Sequence, residues 1–147
     1  MPEIAGKIEL VENVVITLRG PDGKIKEQRV ANTVQTWAKN WFADQCLAAP
    51  TLTVKPGWMA VGTGAPAATL LGAEINRTAL TSKTRSTNVV TFVGDWAAGA
   101  GTGALTEAGV FDVVTANTVN MFLAASFAVI NKLAADTLDI SWTLTFP

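Results

Sequence analysis

The residues with the types and spacing to do chemistry are the glycine turn Val61-Gly62-Thr63-Gly64-Ala65-Pro66, the charges Glu74 and Arg77 that follow it, Glu107 in the run Leu105–Phe111, and the lone Cys46. A glycine turn after a short apolar strand can cradle a phosphate, because several backbone amides then point into one hollow. A nucleotide P-loop also needs Gly-Lys-Ser/Thr at a helix start. Here Gly64 runs into Ala65–Leu70, and no lysine appears before Lys83. The dinucleotide fingerprint fails as well, since its third glycine and its alternating β/α context are missing. The turn therefore reads as architecture, with glycines that permit positive φ or the close approach of another backbone.

Glu74 and Arg77 stand at i, i+3, a spacing that pairs them on a helical turn or leaves each to find a partner across the fold. A catalytic carboxylate wants a second acid or a base beside it. The remaining candidate, Glu107, sits among small and apolar residues, where charges are more often paired than catalytic. The expectation is that Arg77 meets Glu107 and ties the glycine loop to a sheet. Asp95, Asp112, Asp136 and Asp139 match no compact calcium loop and suit surface or turn roles. A single cysteine excludes an intrachain disulfide or a thiolate cluster, and Cys46 reads as a small buried residue near an apolar helix stripe. The chain has no histidine, which removes the commonest general base and metal ligand. Together these features point to a protein that is not an enzyme and needs no cofactor or metal.

Composition bounds the partners. Charged residues make up 16 % and apolar residues 49 % of the chain, against a usual charged share of about 25 %. So little charge suits a subunit that hides surface in a homo-oligomer. Eleven scattered Lys and Arg against twelve Asp and Glu give a net charge of -1 and speak against nucleic acid. No apolar run nears the roughly 18 residues of a membrane span, and the start MPEIAGKIEL lacks a signal-peptide pattern. The expectation is a soluble, intracellularly made protein whose 147 residues form a single domain, with no membrane partner.

The elements that must position these residues follow from hydrophobic period. Residues 8–31 read as a hairpin: Ile8–Arg19, the turn Gly20-Pro21-Asp22-Gly23, and a polar second arm, Lys24–Ala31, suited to a sheet edge. Val34, Trp37, Ala38, Trp41 and Phe42 form the stripe of an amphipathic helix over about 34–48, within the segment 33–49. Asn32 or Thr33 is placed to cap it, and it should stop before Pro50. Residues 57–147 read as strands: Gly57–Val61, two segments in Ser82–Trp96, Leu105–Val114, Thr118–Ile130 and Thr137–Phe146. In the last, Leu138, Ile140, Trp142, Leu144 and Phe146 alternate with polar residues. Ala97–Gly103 reads as a flexible surface loop. The fold class expected is mainly β, an antiparallel jelly-roll-like sandwich with an N-terminal hairpin and one helix.

In this order the motifs resemble those of tailed-bacteriophage virion proteins. The shared pattern is a glycine turn (Val61-Gly62-Thr63-Gly64), then L-x-x-E-x-x-R (Leu71–Arg77), then E-A-G-V-F (Glu107–Phe111), the run Met121–Phe127, and the closing strand Thr137–Phe146. The resemblance covers roughly Trp58 to Phe146 and singles out Gly62, Gly64, Glu74, Arg77, Glu107 and Gly109 as structural residues. It implies a capsid decoration, or cement, protein on the outside of the head, clamping neighbouring copies of the major capsid protein and frequently trimeric. Met1–Lys7 would serve as an arm reaching a neighbour, and the edge of Lys24–Ala31 could add to a neighbour's strand. Tail-fibre attachment domains share the motif set and give the alternative within the virion. A carbohydrate-binding jelly roll is the alternative of another class. Trp37, Trp41 and Trp142 fall on expected core faces, leaving Trp58 and Trp96 as its sugar platforms.

Overall fold

A computed structural model describes residues 11–31 and 36–146. Met1–Lys7, the start of the hairpin, the capping residues Asn32 and Thr33, Val34 of the helix stripe and the side chain of Trp37 lie outside the described residues.

The chain folds into two antiparallel sheets packed face to face. Its elements run β1 (Val11–Arg19), β2 (Ile25–Ala31), α1 (Thr36–Gln45), β3 (Trp58–Gly62), β4 (Glu74–Ala79), β5 (Ser82–Ser86), β6 (Val89–Trp96), β7 (Gly103–Phe111), β8 (Met121–Lys132) and β9 (Thr137–Thr145). The five-stranded sheet has the order β2-β1-β9-β6-β5, and the four-stranded sheet β4-β3-β7-β8. The pairs β1/β2, β3/β4, β5/β6 and β7/β8 are each antiparallel neighbours, dealt alternately to the two sheets before β9 closes between β1 and β6. The antiparallel sandwich with one helix is thus as expected. Its strand order identifies no jelly roll specifically. The N-terminal hairpin is an integral part of the larger sheet, because β1 pairs with β9 along its whole length.

Alternation explains the core. Leu138, Ile140, Trp142 and Leu144 of β9 point inward beside Val14, Ile16 and Leu18 of β1 and Phe92 and Trp96 of β6. Met59, Val61, Val110, Phe122 and Leu123 answer from the other sheet. Trp142 is fully buried, and its indole N–H donates to Glu12 Oε1 at 2.6 Å, so its polar edge is satisfied inside the core. The polar arm β2 is an edge strand, as its composition requires.

Helix α1 closes one end of the sandwich. Ala38 is buried, and Trp41 and Phe42 meet Phe122 edge to face at 5.5 and 5.4 Å. The helix ends at Gln45, short of the expected 48. Asp44 stops it: its carboxylate accepts the Thr51 and Leu52 N–H groups and the Thr51 hydroxyl, turning the chain back along the helix. The Thr51 hydroxyl, then the Leu52 amide, hold the Asp44 carboxyl below its ordinary pKa. Cys46, just past that stop, is exposed and not buried as its stripe suggested.

Residues 97–102 form a surface loop, with Ala97, Ala98, Gly99 and Thr102 exposed, anchored at two points: Gly101 is buried at φ +60°, where a Cβ would come within 3.0 Å of Trp96 Cδ1, and the Gly99 N–H donates to Ala134 O at 2.7 Å. Trp96 itself is 1 % exposed, which removes it as a sugar platform. Trp58 is half-buried against a second apolar cluster.

Candidate functional site

The residues singled out from the sequence converge on one surface, the outer face of the four-stranded sheet. Cross-strand register sets this: Gly62 pairs with Glu107 and Ala60 with Gly109, so Gly62, Glu107, Gly109 and Phe111 share the face turned away from the main core. Sheets normally leave such a face to water. Here Ala60, Phe111, Met121 and Ala124 of the sheet form a second buried cluster with Leu71, which the covering segment 63–73 supplies.

Glu107 holds that segment in place. Its carboxylate is 0 % exposed and accepts three backbone N–H bonds, from Gly64 (3.1 Å) and Ala73 (2.7 Å) at Oε1 and from Gly72 (2.9 Å) at Oε2. Thr63 N–H donates to Ala73 O at 3.0 Å, and the Thr106 hydroxyl to Gly64 O at 2.6 Å. The glycines are required by proximity. A Cβ on Gly62 would collide with Glu107 Oε1 and Ala73 O, and one on Gly64 would lie 2.9 Å from Ala73 N. The turn is therefore an anion cradle after all, and the anion is the chain's own carboxylate.

Arg77 does not meet Glu107. It forms a two-pronged ion pair with Glu74, Nε to Oε1 and Nη2 to Oε2, both 2.8 Å, with the two side chains 3 % and 1 % exposed. In a regular strand, residues at i and i+3 face opposite ways. A bulge resolves this: Gly62 pairs with Glu74 but Val61 with Asn76, so Ile75 is the extra residue and Glu74 and Arg77 come onto one face. The guanidinium lies 3.7 Å above the centre of the Phe111 ring and donates through Nη1 to Val113 O at 2.9 Å. Glu74 Oε2 accepts the Asn117 N–H at 3.1 Å. The pair thus pins residues 112–120 as Glu107 pins 63–73. Gly109 lets this layer lie close, since a Cβ there would come within 2.9 Å of Met121 Sδ.

Asp112 stands at the edge of this layer, and burial pushes its carboxyl above the ordinary value despite hydrogen bonds and the nearby Arg77 charge. Asp136 takes the turn role expected of it, between β8 and β9, but it is buried there in a second polar cluster that sequence reasoning did not assemble. Asp136, 1 % exposed, takes Lys26 Nζ at 2.9 and 3.1 Å and the Leu133 N–H at 2.9 Å. The Lys26 hydrogen bond, then the Leu133 amide, hold its carboxyl below the usual range. Lys132 is 1 % exposed and donates to Asp136 O at 2.7 Å and Ala97 O at 3.2 Å, and burial lowers its pKa against the pull of Asp136. The only sequence signal was a charge at the end of an apolar run. Asp139 pairs with Arg19 at 3.3 Å on the surface.

All of these groups hold backbone or each other, which is the chemistry of bracing. No protein-family model, no curated protein and no solved structure matches the chain.

Proposed function

We propose that this chain is a non-enzymatic structural protein of a tailed-phage virion, made in the host cytoplasm, that binds the outer surface of the capsid and clamps neighbouring major capsid proteins. The observation that carries the reading is the convergence of the motif residues Gly62, Gly64, Glu74, Arg77, Glu107 and Gly109 into one braced layer. Residues scattered over 48 positions of sequence share a single mechanical task, which suits a module that must keep its shape under load. A protein that binds the assembled shell but not its separated subunits stabilises the shell by mass action. Sedimentation of the purified chain with empty heads tests this. Saturable binding that raises the temperature of head disruption is the expected result, and a chain indifferent to heads overturns it. Immunogold labelling of virions separates head from tail, and gold confined to tails would replace this proposal with fibre attachment. Deleting Met1–Lys7 should weaken head binding, and unchanged binding removes the arm from the mechanism.

A further inference from the structure

We infer that the outer face of the five-stranded sheet is the surface through which two copies of this chain associate, face to face about a two-fold axis. The inference does not rest on the capsid reading, and it puts a dimer where the resemblance implies a trimer.

The register defines the face. One row crosses all five strands through Val30, Val15, Ser141, Val93 and Ser82, and the next runs through Asn13, Thr143, Thr91 and Thr84. Nearly all its outward side chains keep partial or full solvent contact, with Thr17, under the Gln28 amide, as the exception. Val30 and Val11 are 66 % and 56 % exposed. Among the described residues, charge is absent from the middle rows and lies at one end, at Arg19, Asp139 and Asp95.

A second copy fits this face better than a partner of complementary character. A hydroxyl is both donor and acceptor, so a surface of Thr and Ser can satisfy an identical surface, and the valines between them gain by leaving water. A two-fold axis that lies in the interface and crosses the strands carries the charged end of each copy to the rim, where charges belong. Size agrees. Five strands of 7, 9, 9, 8 and 5 residues, at about 3.3 Å per residue and about 4.8 Å apart, present a face of about 600 Å². Two such faces bury about 1,200 Å², at the lower end of the range of about 1,200–2,000 Å² for stable interfaces. The exposed edge β5 is a poorer route to association, because Lys83 and Arg85 face inward along it, in register with Phe92 and Val90, and discourage strand addition.

Analytical ultracentrifugation of the full chain tests this directly. The expected species is twice the 15.4 kDa chain mass. Ser141→Lys, in the centre of the face, should shift the population to monomer with an unchanged circular dichroism spectrum. Val114→Lys, on an exposed loop elsewhere, should leave the dimer intact. If Ser141→Lys fails to fold, Thr91→Lys on the same face replaces it. A wild-type monomer, a trimer, or a dimer that survives a lysine on this face overturns the inference. Head binding by a monomeric variant would leave the capsid proposal standing, and a dimer indifferent to heads would remove that proposal but not this one.

Discussion

On the outer face of the four-stranded sheet, Glu107 and Phe111 are 0 % exposed beneath segments of their own chain. On the outer face of the five-stranded sheet, Ser141 and Thr143 occupy equally central places on β9 and keep contact with water. The first face is closed by charged groups bonded to backbone or to each other; the second, among the described residues, is nearly free of charge and left open. A buried carboxylate is tolerable only when it is hydrogen-bonded, and Glu107 meets that condition with three backbone amides. The conspicuous motifs therefore mark where the molecule is finished, while the plain alternation of Thr and Ser marks where it can meet another surface.

The largest test of this contrast is Glu107→Ala, which leaves the three part-buried hydrogen bonds from Gly64, Gly72 and Ala73 without their acceptor. Unsatisfied donors of this kind should cost about 4 kcal/mol together, measured by urea unfolding. A loss below about 1 kcal/mol would mean that the closed face needs no carboxylate. Breaking the second pin comes next: Arg77→Ala strands Glu74 and should cost about 3 kcal/mol. The Arg77→Ala, Glu74→Ala double-mutant cycle should show coupling of about 2 kcal/mol, and strict additivity would dissolve the pair as a unit.

Asp112 gives a smaller effect with a definite sign. Its pKa is raised in the folded protein, so its charged form is disfavoured there. The resulting penalty is absent below the ordinary carboxyl pKa, grows as pH rises through the folded value, and is complete at neutral pH. Asp112→Asn should therefore raise the melting temperature at pH 7 and lose that advantage at pH 3. A gain of equal size at both values would assign the effect to packing instead. The smallest effect belongs to the open face. Thr143→Ala should change the stability of the isolated chain by no more than about 0.5 kcal/mol, and a loss comparable to Glu107→Ala would erase the distinction between the faces.

Much of the fold was legible because period and turn chemistry agree. The strict alternation of β9, the Gly20-Pro21-Asp22-Gly23 turn and the polar edge arm each follow from one local rule. Strand β4 was illegible because Glu-Ile-Asn-Arg-Thr-Ala carries a bulge at Ile75, which breaks the alternation and lends Glu74 and Arg77 a helical spacing. The set of site residues was legible, but their pairing was not. Charge complementarity suggested Arg77 for Glu107, whereas the anion's partners are amides, which every residue but proline carries and no sequence displays. Trp96 and Cys46 exchanged their expected environments for a similar reason, since seating Gly101 on the indole and turning the chain at Asp44 are both tertiary events.

The Glu107 cradle also has a place in time. Glu107 lies 43 residues beyond Gly64, 35 beyond Gly72 and 34 beyond Ala73, so these amides wait on closure of a long loop before they find their acceptor. Until β7 lies beside β3, the Gly64, Gly72 and Ala73 amides have no carboxylate to bond, and the segment 63–73 is then more open to a protease. Resistance to cleavage in that segment would appear only once β7 has docked, so a single carboxylate would report that the two strands have met.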